Sequence, residues 1–267
     1  MVTGASSGIG AAAALELARL GATVVPVGRD RARLEAVARK TGGDPLQADF
    51  ASLTQVRGLA EELLERHGRI DVLVNNAGLV AGKRTLTEDG HETTFAVNHL
   101  APFLLTNLLL DRLRASAPAR VITTSSDAHR SGVLDIDDLE GERRWSSWSA
   151  YSNSKLANVL FTRALASRLQ DTAITANCLH PGVIRTRLGR GAGGVFGVGW
   201  RVAKNFFRSP RTGASTIVYL AGSEQGGMVS GAYFVNSRQA TPSLQAQDDD
   251  LAEQLWEVSV RMVGLVT

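Results

Sequence analysis

The chain is poor in the residues that carry several common chemistries. Its 267 residues include a single cysteine, Cys178. That excludes an internal disulfide and any multi-cysteine metal centre, and it fits a reducing compartment. No metal is expected. No apolar run nears the ~18–20 residues that a membrane-spanning helix requires, and no basic-then-apolar segment opens the chain. A cytoplasmic location is expected. Lysine is scarce: Lys40, Lys83, Lys155 and Lys204 are the four among 29 basic residues. The arginines are spread along the chain and the net charge is only +3. That pattern describes a solvated surface and not a nucleic-acid patch, despite a pI near 9.3.

What is present suits a globular chain. Hydrophobic residues make up 44% and charged residues 21%, enough to bury a sizeable core. Strand-length apolar segments alternate with helical patterns. Ala22–Val27, Ile70–Asn75, Arg120–Ser125 and Ala173–Leu179 read as strands, with Pro45–Asp49 weaker. Ile9–Leu20, Arg31–Arg39, Leu53–Arg66, Glu92–Ser116, Ala150–Leu169 and Thr212–Leu220 read as helices. The alternation predicts an α/β fold: a single doubly wound, Rossmann-like parallel sheet with helices on both faces, spanning residues 1–267 as one domain. Only Met1–Thr3 precede the first glycine loop. Either the first strand is unusually short or the sequence continues upstream.

That loop, Thr3–Gly10, reads TGASSGIG and runs straight into AAAALELARL. A turn from strand to helix there presents free backbone amides to an anion, and glycines let a pyrophosphate come close. The spacing G-x-x-x-G-x-G differs from the commonest dinucleotide fingerprint. About 20 residues on, the second strand ends in Gly28-Arg29-Asp30. An acidic residue at that tip would take a ribose; an arginine there pairs with a 2′-phosphate instead. Asp30 reads as the N-cap of the following helix. NADP is therefore expected over NAD.

Tyr151 and Lys155 lie four apart in YSNSKLANVLF and share a helical face. A neighbouring ammonium favours phenolate and turns a tyrosine into an acid–base group. Ser125 and Ser126 end the preceding strand, where a hydroxyl can hold a carbonyl oxygen, and Asn98 is a polar amide in the apolar stretch FAVNHLAPF.

Together, TGASSGIG, Asn75–Gly78 (NNAG), Asn98, Ser126, Tyr151-x-x-x-Lys155 and Pro181-Gly182 resemble the short-chain dehydrogenase/reductase family over nearly the whole chain. WSSWSAYSNSKLANVLFTRAL and LHPGVIRTRL are similar to its retinol dehydrogenase and WW-domain oxidoreductase branch. The resemblance implies Tyr151 as general acid–base and Lys155 lowering its pKa. It implies Ser126, more than Ser125, orienting the substrate oxygen, and Asn98 holding a relay water. For the cofactor it implies Gly4, Ser6, Ser7, Ile9 and Gly10 at the pyrophosphate, Arg29 at the 2′-phosphate, and Asp49 and Phe50 at adenine. Asn76, Ala77 and Gly78 would follow the adenosine ribose. Tyr151, Lys155, Pro181, Gly182, Ile184 and Thr186 would meet the nicotinamide end.

Residues 187–211 lie where the family carries its substrate lid. Phe196, Trp200, Phe206 and Phe207 there suit a lipophilic alcohol or carbonyl, while a basic amphipathic element touching a membrane surface is the rival reading. Trp145 and Trp148 are candidate substrate neighbours. The resemblance also implies a homo-oligomer through Glu92–Ser116 and Ala150–Leu169. Two alternatives stand beside the oxidoreductase: a catalytically silent nucleotide-binding regulator on this fold, and a nucleotide-sugar epimerase or dehydratase.

Overall fold

The computed structural model describes residues 1–182 and 209–265. Eight strands form one sheet in the order β3-β2-β1-β4-β5-β6-β7-β8. They are β1 (Val2–Thr3), β2 (Pro26–Gly28), β3 (Leu46–Gln47), β4 (Val72–Asn75), β5 (Ala119–Thr124), β6 (Ile174–His180), β7 (Tyr233–Val235) and β8 (Arg238–Ala240). Strands β1 to β7 are parallel; β8 is an antiparallel edge joined to β7 by a tight turn. Asn236 and Ser237 both adopt positive φ in that turn, +52° and +60°, as a two-residue hairpin requires. The expected parallel sheet is thus present, with an antiparallel margin that sequence periodicity did not announce.

The order reverses direction at β1, so the crevice between β1 and β4 is the switch point where such sheets take ligands. β1 is only two residues long. Several strands start later than their apolar runs, because Val24 and Val25 lie in the approach to β2 and still bury.

The helices are α1 (Gly8–Arg19), α2 (Arg31–Thr41), α3 (Leu53–Arg66), α4 (Thr93–Phe95), α5 (Ala101–Leu108), α6 (Leu110–Ala115), α7 (Ser147–Arg168), α8 (Pro210–Gly222) and α9 (Asp249–Met262). Side chains alternate across the strands into two cores. Val2, Val74, Ile122, Leu179 and Phe234 pack on one face with α1 and α8. Leu73, Val121, Cys178 and Tyr233 pack on the other with α3, α5, α7 and α9. Caps set the boundaries: Asp30 accepts from Arg33 N at 3.1 Å, as expected for an N-cap, and Asp248 accepts from Leu251 N at 2.9 Å.

One stretch differs from expectation. Glu92–Ser116 is not one helix: a π-turn, Ala96–Leu100, separates α4 from α5, and α6 follows a break. Pro102 has no N–H to give the Asn98 carbonyl, so the α-helical bond is impossible there. Helix α9 packs across α5 and α7. Trp256 packs edge-on to Phe103 at 4.9 Å, stacks on Phe161 at 5.9 Å and lies under Arg168 at 4.0 Å. Ser259 meets His99 Nε2 at 2.9 Å.

Candidate active site

Most of the expected site residues among those described lie in loops leaving the carboxyl edge of the sheet; Ile9 and Gly10 begin α1, Asn98 sits on the π-turn, and Tyr151 and Lys155 lie on α7. After β1, Gly4 and Gly8 adopt positive φ, +66° and +60°. A Cβ on Gly4 would stand 2.9 Å from Ala77 Cα, and one on Gly10 would run into the Gly4 carbonyl and the Asn76 amide, 2.6 Å away. These glycines are required by loop-on-loop packing as well as by ligand approach. Ser7 stands exposed at the start of α1 and makes no cap hydrogen bond. Ile9 is half-buried at the head of the same helix. A Cβ on Gly28 would touch Ser6 Oγ at 3.4 Å, so the tip of β2 lies beside this loop. The loop is therefore an open cradle of backbone amides at a helix N-terminus, which suits a pyrophosphate.

Arg29 projects from the β2 tip with its side chain 64% exposed, 3.7 Å from Asp49. Asp49 is held in turn: its carboxylate accepts from Ala51 N at 3.0 Å, and its backbone N–H donates to Gln55 at 3.0 Å. Phe50 is different. Its ring is 4% exposed and belongs to the core under the loop, so only its backbone can face adenine.

The NNAG turn is braced from below. The Thr3 hydroxyl accepts from Asn76 N and Ala77 N, each at 2.9 Å, and the Asn76 amide donates to the Thr3 carbonyl at 2.9 Å. Asn76 therefore spends its side chain on the fold. Thr3 was missed in sequence; its signal was a buried hydroxyl at the end of β1. A Cβ on Gly78 would stand 3.1 Å from Asn98 Oδ1 and 3.5 Å from Lys155 Nζ, so this glycine lets three loops converge.

Asn98, on the π-turn and 1% exposed, clamps the same loop. It accepts from Leu79 N at 2.8 Å and donates to Leu79 O at 3.0 Å and to Ser154 Oγ at 2.9 Å. Its amide is thus fully occupied by protein groups. Lys155 is buried on α7 and donates to Thr124 O at 3.0 Å. Burial lowers its amine to about 8, so the ammonium still predominates at pH 7. Its Nζ lies 5.7 Å from the Tyr151 ring centre. Desolvation pushes the Tyr151 phenol up, and a hydrogen bond with the Ser126 side chain opposes it. The expected lowering of the tyrosine by lysine is not the leading effect here; burial is. Ser125 donates to Lys155 O at 2.7 Å and is committed to holding α7. Ser126 is partly exposed beside Tyr151.

Pro181 and Gly182, the latter at φ +86°, follow β6 at the same edge. Ile184, Thr186 and residues 187–208 of the expected lid lie outside the described residues; Ser209 caps α8. Trp145 donates to the buried Glu92 carboxylate at 3.2 Å and is a brace. Trp148 is 42% exposed, with its ring 6.3 Å from Tyr151, and stays a candidate substrate neighbour. Among the described residues no cluster suits a metal, and no helix is long and apolar enough to cross a membrane.

Comparison with known proteins agrees with this layout. A family model described as short chain dehydrogenase matches residues 1–193. Retinol dehydrogenase 13 of Homo sapiens is 44% identical, the match covering 99% of this chain and 84% of that one. The crystal structure of an uncharacterized protein from Mycobacterium paratuberculosis superposes with a TM-score of 0.81 at 35% identity, covering 98% of this chain and 91% of that one. A Shigella flexneri 2a structure described as a short chain dehydrogenase complexed with NADP has a TM-score of 0.67 at 25% identity, covering 89% and 95%.

Proposed function

Because the chain belongs to the short chain dehydrogenase family, whose members interconvert alcohols and carbonyls, we propose that it is NADP(H)-dependent and acts on a lipophilic substrate. The observation that carries this is Tyr151 hydrogen-bonded to the Ser126 side chain, with Lys155 Nζ 5.7 Å from its ring centre and beside Gly78 of the NNAG turn. A bound nicotinamide dinucleotide supplies or accepts the hydride. The glycine loop, Ser7 and the N-terminus of α1 receive its pyrophosphate, and Arg29 receives the 2′-phosphate.

In carbonyl reduction Ser126 holds the substrate oxygen and Tyr151 gives it a proton. In alcohol oxidation Tyr151 takes the proton back. Burial of Tyr151 favours its neutral form, which readies it as an acid; the Lys155 ammonium supplies the positive charge that oxidation needs when phenolate forms. Trp148 offers an apolar wall next to the reacting oxygen. Retinol, the substrate in the name of the human relative at 44% identity, is the size and polarity of substrate that such a wall accepts.

The test is turnover of retinoids, steroids and medium-chain aldehydes with NADPH and with NADH, for parent and Tyr151→Phe. The variant is expected to bind cofactor normally and to lose roughly 10²–10⁴-fold in kcat. Near-parental turnover by Tyr151→Phe would sink the assignment, and absence of turnover by the parent on the whole panel would favour the silent regulator.

A further inference from the structure

The peptide group joining Ser126 to Asp127 is held at both of its polar ends by histidines, one three residues on in the same turn and the other at the end of β6. Its carbonyl accepts from His129 Nδ1 at 2.7 Å, and from the His129 backbone N–H at 3.1 Å. Its N–H, on Asp127, donates to His180 Nδ1 at 3.1 Å. A peptide plane is rigid, so gripping both ends fixes its rotation, and the Ser126 Cα that carries the hydroxyl is attached to that plane.

His129 is itself immobilised. It is 0% exposed, its Nε2 accepts from Ser243 N at 3.1 Å, and its ring meets Tyr233 edge-on at 4.8 Å. The partners dictate the protons. His129 Nδ1 faces a carbonyl and must carry hydrogen, while Nε2 faces an N–H and must be bare. Burial, the leading cause, holds its pKa below the ordinary histidine value, with the Ser126 carbonyl, Arg130 and Asp127 acting less strongly. At His180 the tautomer is opposite: Nδ1 faces an N–H and must be bare. One histidine donates and the other accepts, as the two ends of a single peptide demand.

The clamp reaches Tyr151 through packing. The 3-10 turn Asp127–Ser131 ends at Gly132, where a Cβ would stand 2.8 Å from Ser152 O and 3.0 Å from Leu156 Cβ. The turn therefore rests directly on α7, beside Tyr151. Ser126 Oγ also accepts from Ala128 N at 3.2 Å, so turning the peptide would drag the hydroxyl away from the phenol.

We propose that His129 and His180 are positioning residues, which clamp the Ser126–Asp127 peptide and so aim the Ser126 hydroxyl at the substrate oxygen beside Tyr151. The proposal rests on the reading of Ser126 as the group that holds that oxygen. It makes no use of the side chains for proton transfer.

The experiment uses the full chain, NADPH and the best carbonyl substrate of the panel above. An asparagine at 129 places an amide nitrogen where Nδ1 stood; a glutamine reaches the Nε2 position instead. His129→Asn is expected within about 3-fold of parental kcat, whereas His129→Gln loses roughly 10–100-fold with NADPH affinity and melting midpoint near parental. His180→Asn keeps an acceptor and is expected to stay active; His180→Leu does not. In a Ser126→Ala background, His129→Gln is expected to add under about 2-fold, because there is no hydroxyl left to aim. Parental kcat in both His129→Gln and His180→Leu would overturn the clamp, as would losses that multiply in full with Ser126→Ala. So would His129→Asn being as poor as His129→Gln. If His129→Gln fails to fold, the His180 pair, at a partly exposed position, decides the matter alone. If Ser126→Ala itself turns over like the parent, the site reading fails and the clamp with it; if Ser126→Ala is impaired and the histidine variants are not, only the clamp fails.

Discussion

Arg29→Ala is the perturbation that most directly separates NADP from NAD. The geometry allows the side chain to be removed cleanly. The Arg29 carbonyl accepts from Gln47 Nε2 at 2.9 Å, and Asp30 caps α2 without help from the guanidinium, so the β2 tip should stay in place. A charged hydrogen bond from guanidinium to a 2′-phosphate contributes about 1.5–3 kcal/mol. Against this stands the ion pair with Asp49, 3.7 Å long and with Arg29 64% exposed. An exposed pair of that kind contributes only about 0–1 kcal/mol, and the arginine gives it up on turning to the phosphate. The net is about 0.5–3 kcal/mol, or roughly 2–160-fold in Kd. NADH, with no 2′-phosphate, should change by less than about 2-fold. Fluorescence titration of both cofactors measures this. Repeating it at higher salt should shrink the NADPH effect, because both partners are solvated. Asp49→Asn removes the competing carboxylate and should tighten NADPH by at most about 5-fold. Tighter NADH than NADPH in the parent would refute the reasoning, and so would equal weakening of both cofactors by Arg29→Ala.

Three further outcomes follow from the packing. Gly10→Ala should cut affinity for either cofactor by at least about 10-fold and lower the melting midpoint, since its methyl has the Gly4 carbonyl and the Asn76 amide in its way; unchanged affinity by titration would contradict the cradle. His91 offers Nδ1 to Glu140 at 2.8 Å and Nε2 to the Met262 carbonyl at 3.0 Å, with Asp89 also nearby, and the Glu140 hydrogen bond leads in raising its pKa. Its contribution to stability is therefore complete below the unfolded value of about 6.5 and fades as pH rises through the higher folded value; urea melts from pH 5 to 9 should show that slope in the parent and not in His91→Gln. Trp256→Ala should cost about 3 kcal/mol and, by uncovering Phe103 and Phe161, raise the mass seen by light scattering.

Much of this architecture was legible because local chemistry marks its ends. Leu53–Arg66 was read with its observed limits, since Ser52 caps it and its apolar positions recur at helical spacing. Asp30 announced the start of α2 in the same way. The β7–β8 hairpin was not legible, because Tyr233–Val235 is too short to show a period. Its strand status comes from pairing with Cys178–His180, more than 50 residues away; the turn signal in Asn236-Ser237 was the available clue. The π-turn was hidden too: Pro102 sits where a proline also suits the first turn of a helix, as it does in α5. Phe50 and Trp145 show the limit for site residues. Both are aromatics next to functional segments, and only tertiary contacts, with the core for one and with Glu92 for the other, assign them to structure.

The same limit applies, in the opposite sense, to Tyr151 and Lys155. Their spacing puts them on one helical face, and from that alone the lysine ought to dominate the phenol. Burial changes the balance. It raises the phenol and lowers the amine to about 8, because each group loses solvent for its charged form. The fold therefore rests in the state with neutral tyrosine and ammonium, one charge and not two. That state already has the proton where carbonyl reduction needs it. Oxidation must instead create phenolate in the same buried place, where, among the described residues, the Lys155 ammonium and the Ser126 hydroxyl stand to stabilise it. On the proposed reading, a neutral Tyr151 is expected to favour carbonyl reduction at pH 7, with oxidation gaining as pH rises; rates measured in both directions check this, and oxidation that does not rise with pH would refute it.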